Sequence, residues 1–164
     1  MNRNLVVLGM AIALLASPNM APAKEKDPLA VVALGAAGDW GFPDGKFSGG
    51  PSVAVEFSAI KDWLEIEVGG AKLFRRGSSE WETEVVFRKP FTLSETTELM
   101  IGLGPIWSQT KGEGVKVGTT FMLDFMFWSS PERKYGWFVE PSYSVTKGNE
   151  QSLAVSVGVL IGIH

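Results

Sequence analysis

Apolar side chains recur at every second position along most of the chain. The clearest run closes the sequence, where apolar residues from Leu153 to Ile163 alternate with small or polar ones. The same alternation occupies 53–59, 63–68, 80–88 and 115–127. A period of two is typical of a β-strand with one apolar face, whereas a helix repeats about every 3.6 residues. Because no segment has a convincing helical period, the pattern predicts an all-β fold.

Clusters of turn-forming residues divide the alternating pattern into eight segments. Glycine, proline, asparagine, aspartate and serine mark these breaks because they favour tight turns. The predicted strands are 29–37, 51–59, 63–74, 80–88, 97–107, 115–128, 135–145 and 151–163. The sequence therefore predicts one domain built from eight strands.

Residues 1–23 have the features of a secretory signal peptide. Arg3 supplies a positive start, the stretch from Leu5 to Leu15 is apolar, and small residues precede the predicted cleavage after Ala23. At about 1.5 Å per residue, the apolar stretch would cross only roughly half of a ~30 Å hydrocarbon core, which disfavours a membrane helix. We therefore expect a secreted domain that comprises residues 24–164.

The second face of each strand distinguishes two kinds of barrel. A soluble barrel buries its apolar face and solvates the other, whereas a membrane barrel presents the apolar face to lipid and fills its lumen with polar and small side chains. The second face of the last strand holds Ala154, Ser156, Gly158, Leu160 and Gly162. These residues suit a cramped eight-stranded lumen better than a solvated surface. We favour the transmembrane barrel, with a secreted periplasmic, lipocalin-like barrel that binds an apolar ligand as the alternative.

An even number of strands places both termini on one side of the membrane. With a periplasmic N-terminus, the predicted external connections are 38–50, 75–79, 108–114 and 146–150. The predicted periplasmic turns are 60–62, 89–96 and 129–134. The segment 38–50 is thus the longest predicted external loop.

Tryptophan and tyrosine cluster near the predicted strand ends. Their rings combine an apolar body with a polar edge, and such rings are enriched at membrane interfaces. We predict two aromatic girdles, with Trp63, Trp128 and Trp137 toward the periplasm and Trp81, Trp107 and Tyr143 toward the exterior. The alternation directs Trp63 and Trp128 into the lumen. Their place in an external girdle therefore requires a bulge or a revised strand register.

The last strand carries a polar residue, a glycine and two apolar residues at Ser156, Gly158, Ile161 and Ile163. In this signature and in its alternation, the chain resembles the small outer-membrane β-barrel family of the OmpA/OmpX type. The resemblance implies an eight-stranded antiparallel up-and-down transmembrane β-barrel in the outer membrane of a Gram-negative bacterium. It also implies that the barrel-assembly machinery reads these four residues, and that outer-membrane lipid and lipopolysaccharide surround the barrel. Family activities range from anchoring and adhesion to lipid enzymes, so the fold alone selects none.

The residue composition excludes most classes of enzyme and of metal-binding or nucleic-acid-binding protein. The chain of 164 residues has no cysteine, and its single histidine is the final residue, His164. Nucleophile–histidine catalysis and Cys/His metal sites therefore lack their residues. A net charge of −3 without a basic run argues against nucleic acid. We expect a non-enzymatic protein without cofactor or metal, with a structural or surface-interaction role in the cell envelope.

Acidic residues are concentrated on the face opposite the apolar one. If the apolar face meets lipid, the lumen contains Glu56, Glu65, Glu67, Glu82, Glu84, Glu98, Asp124 and Glu140, together with Arg88 and Lys116. Buried like charges must pair or be neutralised, so an interior ion-pair network that fills the lumen is the favoured interpretation. A weakly cation-selective passage stays open because acidic rings favour cations. A carboxylate-pair hydrolase is also open, although it needs a cleft that eight strands hardly provide.

Overall fold

The eight predicted strands form one closed sheet in the computed structural model of the protein. The structure describes residues 27–42, 45–75, 77–110, 112, 114–148 and 150–164. The strands are β1 (Ala30–Gly41), β2 (Phe47–Ile60), β3 (Leu64–Arg75), β4 (Ser78–Thr92), β5 (Thr97–Thr110), β6 (Val115–Trp128), β7 (Tyr135–Thr146) and β8 (Glu150–Ile163). Sequential strands pair antiparallel, and β8 pairs with β1 to close the barrel. The predicted eight-stranded antiparallel fold is confirmed.

Two predicted features at the N-terminus, the signal peptide over 1–23 and its cleavage after Ala23, lie outside the described residues. Within the described part of the chain, no helix is long and apolar enough to cross a membrane.

The first hairpin extends further than predicted, and the prediction of a long loop at 38–50 is wrong. Asp39 pairs with Ser48, and Trp40 pairs with Phe47. Asp39 and Ser48 are buried inside the barrel, while Trp40 and Phe47 are exposed outside it. Glycine and aspartate are turn-forming residues in isolation, but cross-strand pairing here keeps them in the sheet.

All connections between strands are short. At the end that holds both termini, which we call the terminal end, the connections are 61–63, 93–96 and 129–134. At the opposite end, the hairpin end, they are 42–46, 76–77, 111–114 and 147–149. The predicted turns at 89–96 and 108–114 are shorter than expected because β4 and β5 continue to Thr92 and Thr110. Neither end of the barrel therefore carries a long loop.

The two faces of the sheet differ sharply in chemistry. In β8, Leu153, Val155, Val157 and Val159 each expose between 44 and 52% of their surface on the outside of the barrel. The residues between them point inward and line the lumen. The apolar face predicted from the alternation is thus the outer face, and the small and polar face is the inner one.

A compact apolar core occupies the lumen near the terminal end. Its buried members are Val31, Met100, Met126, Trp128, Phe138 and Leu160. These side chains come from five different strands, so they pack across the lumen rather than along one wall. They form an apolar layer beneath the polar side chains that occupy the middle of the barrel.

Gly158 lies where β8 closes against β1, opposite Gly35. A Cβ atom at Gly158 would contact the Leu34 carbonyl oxygen and would lie 2.6 Å from the Gly35 Cα. Because real Cβ atoms cannot approach backbone so closely, only glycine fits without a shift of the two strands. Ser156 lies on the same inward face of β8 as Gly158, while Ile161 and Ile163 point outward. Recognition of these four residues by the barrel-assembly machinery stays a prediction.

We predict that Gly158→Val destabilises the barrel by about 1–3 kcal/mol, the usual cost of overpacking. The measurement is the urea midpoint after refolding into lipid bilayers without assembly factors, so that packing alone is tested. Ala154→Val is the matched control, because Ala154 is on the same face and borders the lumen cavity. Equal midpoints for the two variants would contradict the packing role.

Candidate functional site in the barrel interior

A single guanidinium crosses the middle of the lumen. Arg88 of β4 is 1% exposed. Its Nη1 donates to Asp124 Oδ2 at 2.9 Å and to Glu140 Oε2 at 3.4 Å. Its Nη2 donates to Glu56 and Glu67. We call these five residues the central cluster; its carboxylates come from β2, β3, β6 and β7, so the ion pairs join opposite walls.

Alternation and register bring the central cluster to one level of the barrel. Glu56 pairs directly with Glu67 across β2 and β3, and Arg88 follows on β4, opposite Glu65. Eight strands enclose a space just wide enough for side chains, so one arginine can reach carboxylates on facing strands. The charge-assisted hydrogen bonds compensate for the loss of water around the five groups.

A row of glutamates continues from the central cluster toward the hairpin end. Glu84, Glu82 and Glu80 occupy successive inward positions of β4. Glu84 reaches the cluster itself, since single carboxylate oxygens of Glu67, Glu84 and Glu140 all lie within 4.8 Å of one another. These three oxygens form a candidate donor set for a cation.

A second ion-pair group lies at the terminal end around Arg133. Its Nη2 lies 2.8 Å from Glu98 Oε1, and its Nη1 donates to Asp27 Oδ1 at 3.0 Å. The Trp128 indole also donates to Glu98, at 3.4 Å. Arg133 therefore links Asp27, which precedes β1, to Glu98 on the lumen wall. It also neutralises the Glu98 carboxylate, which Arg88 does not contact.

Arg133 is a site residue that sequence reasoning missed. It belongs to the connection 129–134 and has a left-handed backbone, with a φ of 53°. Alternation assigns an inward or outward direction only to strand residues, so a side chain that folds in from a turn has no periodic signal. The excess of inward acids over inward bases was the available indication that a base must come from elsewhere.

Of the remaining predicted lumen residues, Glu65 adjoins the central cluster beside Glu56, whereas Lys116 lies apart from it. Ser58 donates to Glu65 at 3.3 Å, below the cluster. Lys116 lies at the mouth on the hairpin end, where its Nζ is 3.0 Å from Glu150. Lys116 thus lies on the lumen side at the mouth, several residues of β6 away from Asp124 and the central cluster.

The lumen consists of three spaces separated by the central cluster. A cavity of about 60 Å³ adjoins the cluster itself. A vestibule of about 550 Å³ opens at the terminal end, and one of about 850 Å³ opens at the hairpin end. The barrel is thus wide at both mouths and closed at its middle by charged side chains.

Two lysines at outward positions of the described strands, Lys72 and Lys89, each lie against tryptophan, and Lys89 is only 1% exposed. The Lys72 Nζ is 4.9 Å from the centre of the Trp81 ring and 5.4 Å from that of Phe74. The Lys89 Nζ is 5.6 Å from the Trp63 ring, and it has no hydrogen-bond partner in the described structure. Aromatic faces attract cations, which lowers the cost of a charge on an apolar surface.

The predicted girdle residues divide between the two faces of the barrel. Trp81, Trp107, Trp137 and Tyr143 point outward near the strand ends. Trp63 lies in the connection 61–63 and is 39% exposed, beside a register shift at the end of β2. Contact of these rings with lipid headgroups stays a prediction.

Trp128 does not belong to an external girdle, and that prediction is wrong. It is 5% exposed and lies in the apolar core of the lumen, with its indole directed at Glu98. Its inward parity, visible in the sequence, is retained because β6 continues to Trp128 without a bulge. Trp137 on the outer face instead stacks on Phe127, with ring centroids 4.0 Å apart.

Comparison with known proteins identifies the fold through structure rather than sequence. No protein-family model matches the chain, and no curated protein sequence matches it. Solved structures of small eight-stranded outer-membrane barrels do match. Surface protein A (NspA) of Neisseria superposes with a TM-score of 0.69 at 14% identity, over 82% of this chain and 97% of that chain.

Two further barrels superpose over the same share of this chain. Ail, the attachment invasion locus protein of Yersinia pestis, gives a TM-score of 0.62 at 15% identity and is covered over 98% of its length. The N-terminal β-barrel domain of Pseudomonas aeruginosa OprF gives 0.59 at 11% identity, with 97% of that chain covered. At these identities the likeness establishes a shared barrel fold.

Proposed function

We propose that this chain is a non-enzymatic integral protein of the Gram-negative outer membrane, with a structural role and a lumen closed by charged side chains. The observation that carries the proposal is the inverted distribution of chemistry. Apolar residues cover the outside of the strands, while Arg88 and four carboxylates are buried inside. A bilayer favours this arrangement because lipid solvates the apolar face and closure pairs the backbone groups.

The central cluster supports a structural role over a transport role. Its ion pairs line the smallest of the three lumen spaces, between the two vestibules. Ions could pass only if these contacts opened, so at most trace conductance is expected. The short connections at both ends also leave little surface for a partner protein, so we favour a structural role over surface interaction.

The surroundings that we propose are outer-membrane lipid and lipopolysaccharide, with the barrel-assembly machinery as the factor that inserts the chain. Lys72 on the outer face supports this proposal, because a cation near an interface suits anionic headgroups. A lipocalin-like barrel would instead need an apolar ligand cavity and a polar exterior. The charged lumen and the apolar exterior argue against that alternative.

The decisive experiment is fractionation of bacterial envelopes followed by gel electrophoresis with and without boiling. We expect the protein in the outer-membrane fraction, and we expect the unboiled sample to migrate faster because a closed barrel stays folded in detergent. An established soluble periplasmic protein serves as the fractionation control. Recovery of the chain with that control would refute the membrane proposal.

A further inference from the structure

The cavity beside the central cluster has a large excess of negative charge. Among the described residues that line it, Arg88 is the only base, while the acids are Asp39, Glu56, Glu67, Glu82, Glu84, Asp124 and Glu140. Isolated buried carboxylates are costly because water no longer solvates them. One guanidinium cannot compensate for all of them, so the cavity favours a further positive charge.

Three of these acids are arranged as a donor set. Oxygens of Glu67, Glu84 and Glu140 converge within 4.8 Å from β3, β4 and β7. Glu67 and Glu140 each use Oε2 for Arg88, whereas no described residue pairs with Glu84. Gly69 leaves the room that Glu84 occupies, because a Cβ there would lie 3.3 Å from the Glu84 Oε1.

A separate observation at Asp124 points to an absent ligand. Asp124 is 2% exposed and lines the same cavity, and its Oδ2 binds Arg88. Its Oδ1 has no hydrogen-bond partner among the described residues. A buried carboxylate oxygen normally has a partner, so this atom indicates a ligand in the cavity that Asp124 lines.

The space and the route to it suit an ion that retains water ligands. The cavity volume of about 60 Å³ exceeds the roughly 10–15 Å³ that one water needs. On the hairpin side, Glu80 and Glu82 line the wide vestibule and lead along β4 to Glu84. Four acids and three bases line this vestibule, which leaves a small net negative charge at the mouth that leads to the cavity.

We propose that this cavity binds one calcium ion through Glu67, Glu84 and Glu140, with Asp124 beside them. Two oxygens on one ion can be separated by at most twice the metal–oxygen distance, which is about 4.6–5.2 Å for Ca²⁺ and about 4.0–4.2 Å for Mg²⁺. Oxygens within 4.8 Å of one another are compatible with Ca²⁺, and its flexible coordination suits an irregular set of carboxylates better than the near-ideal octahedron that Mg²⁺ requires. The ion would join three walls of the barrel, and the inference rests on the closed lumen proposed above.

The test uses the full barrel refolded into zwitterionic phosphatidylcholine bilayers, which carry no net charge. Equilibrium dialysis with radioactive calcium is expected to show one saturable ion per barrel. The temperature at which the heat-shifted gel band is lost should rise with calcium chloride and much less with magnesium chloride. Equal shifts with both salts would overturn the assignment of calcium.

Glu84→Gln is the diagnostic variant, because it removes a donor without touching the Arg88 ion pairs. We expect its calcium affinity to fall by about tenfold or more, since even outer-shell changes cost about 10–100-fold. Glu82→Gln is the matched control on the same strand and face, and it should bind nearly as the wild type. If Glu84→Gln does not fold, Glu84→Asp keeps the charge and should still weaken binding.

Two outcomes would refute the calcium site: no saturable binding by the folded wild type, or unchanged binding in a folded Glu84 variant. Neither outcome depends on where the protein resides in the cell. Failure of the site is therefore distinguishable from failure of the membrane proposal, which fractionation tests separately.

Discussion

Arg88→Met is expected to destabilise the barrel by about 3–5 kcal/mol, the cost of removing one partner from a buried ion pair. The variant leaves Glu56, Glu67, Asp124 and Glu140 inside the lumen without the guanidinium that they share. Mutual repulsion of these carboxylates then opposes folding. The measurement is the urea midpoint in lipid bilayers, followed by the heat-shifted band or tryptophan fluorescence.

Lys116→Met is the matched control for this prediction, because it also removes one positive charge from the lumen side of a strand. Its partner Glu150 lies at the solvated mouth, where an ion pair contributes only about 0–1 kcal/mol. If the two variants had equal stability, the central cluster would not brace the barrel. Arg88→Lys keeps the positive charge but makes fewer hydrogen bonds to the four carboxylates. Because the cluster then holds the lumen closed less firmly, this variant should show higher conductance in planar bilayers than the wild type.

Val157→Arg is expected to cost about 2–4 kcal/mol when the barrel folds into a bilayer, because the side chain meets hydrocarbon near the midplane. Val157 lies at the centre of β8, is 47% exposed and points away from the lumen. On a soluble barrel, an arginine at such an exposed site would change stability by only roughly 0.5 kcal/mol. Urea titration of the refolded variant therefore separates the two environments.

Leu153→Arg is the depth control for the preceding prediction. Leu153 lies on the same outer face of β8 but pairs with Trp40 and Tyr143 near the hairpin end. Arginine near the interface costs only about 0–1 kcal/mol, because its long side chain reaches the headgroups. Equal effects at the two positions would contradict the membrane orientation of the barrel.

Much of the architecture follows from local periodicity. The run from Leu153 to Ile163 predicts a strand, its direction and its apolar face without reference to any neighbour. The same alternation assigns Glu56, Glu67 and Arg88 to the lumen. Such predictions succeed because successive side chains of a strand point to opposite faces whatever the strand pairs with.

Local signals failed where pairing and turns decide the conformation. The glycine-rich segment 38–50 continues the sheet because Trp40 pairs with Phe47. Arg133 enters the lumen from a turn, where no period applies. The ring chemistry of Trp128 predicts a place in a girdle, yet its inward parity places it in the core.

The sequence by itself determined the number of strands, the face of each strand and the acidic character of the lumen, since all three depend on residues close together in the chain. Tertiary structure alone decided which charges meet. The closed barrel brings carboxylates of four strands around one guanidinium, leaves Lys116 at the mouth and places Glu98 next to Arg133. Distances across a barrel depend on register and circumference, and no local pattern in the chain encodes them.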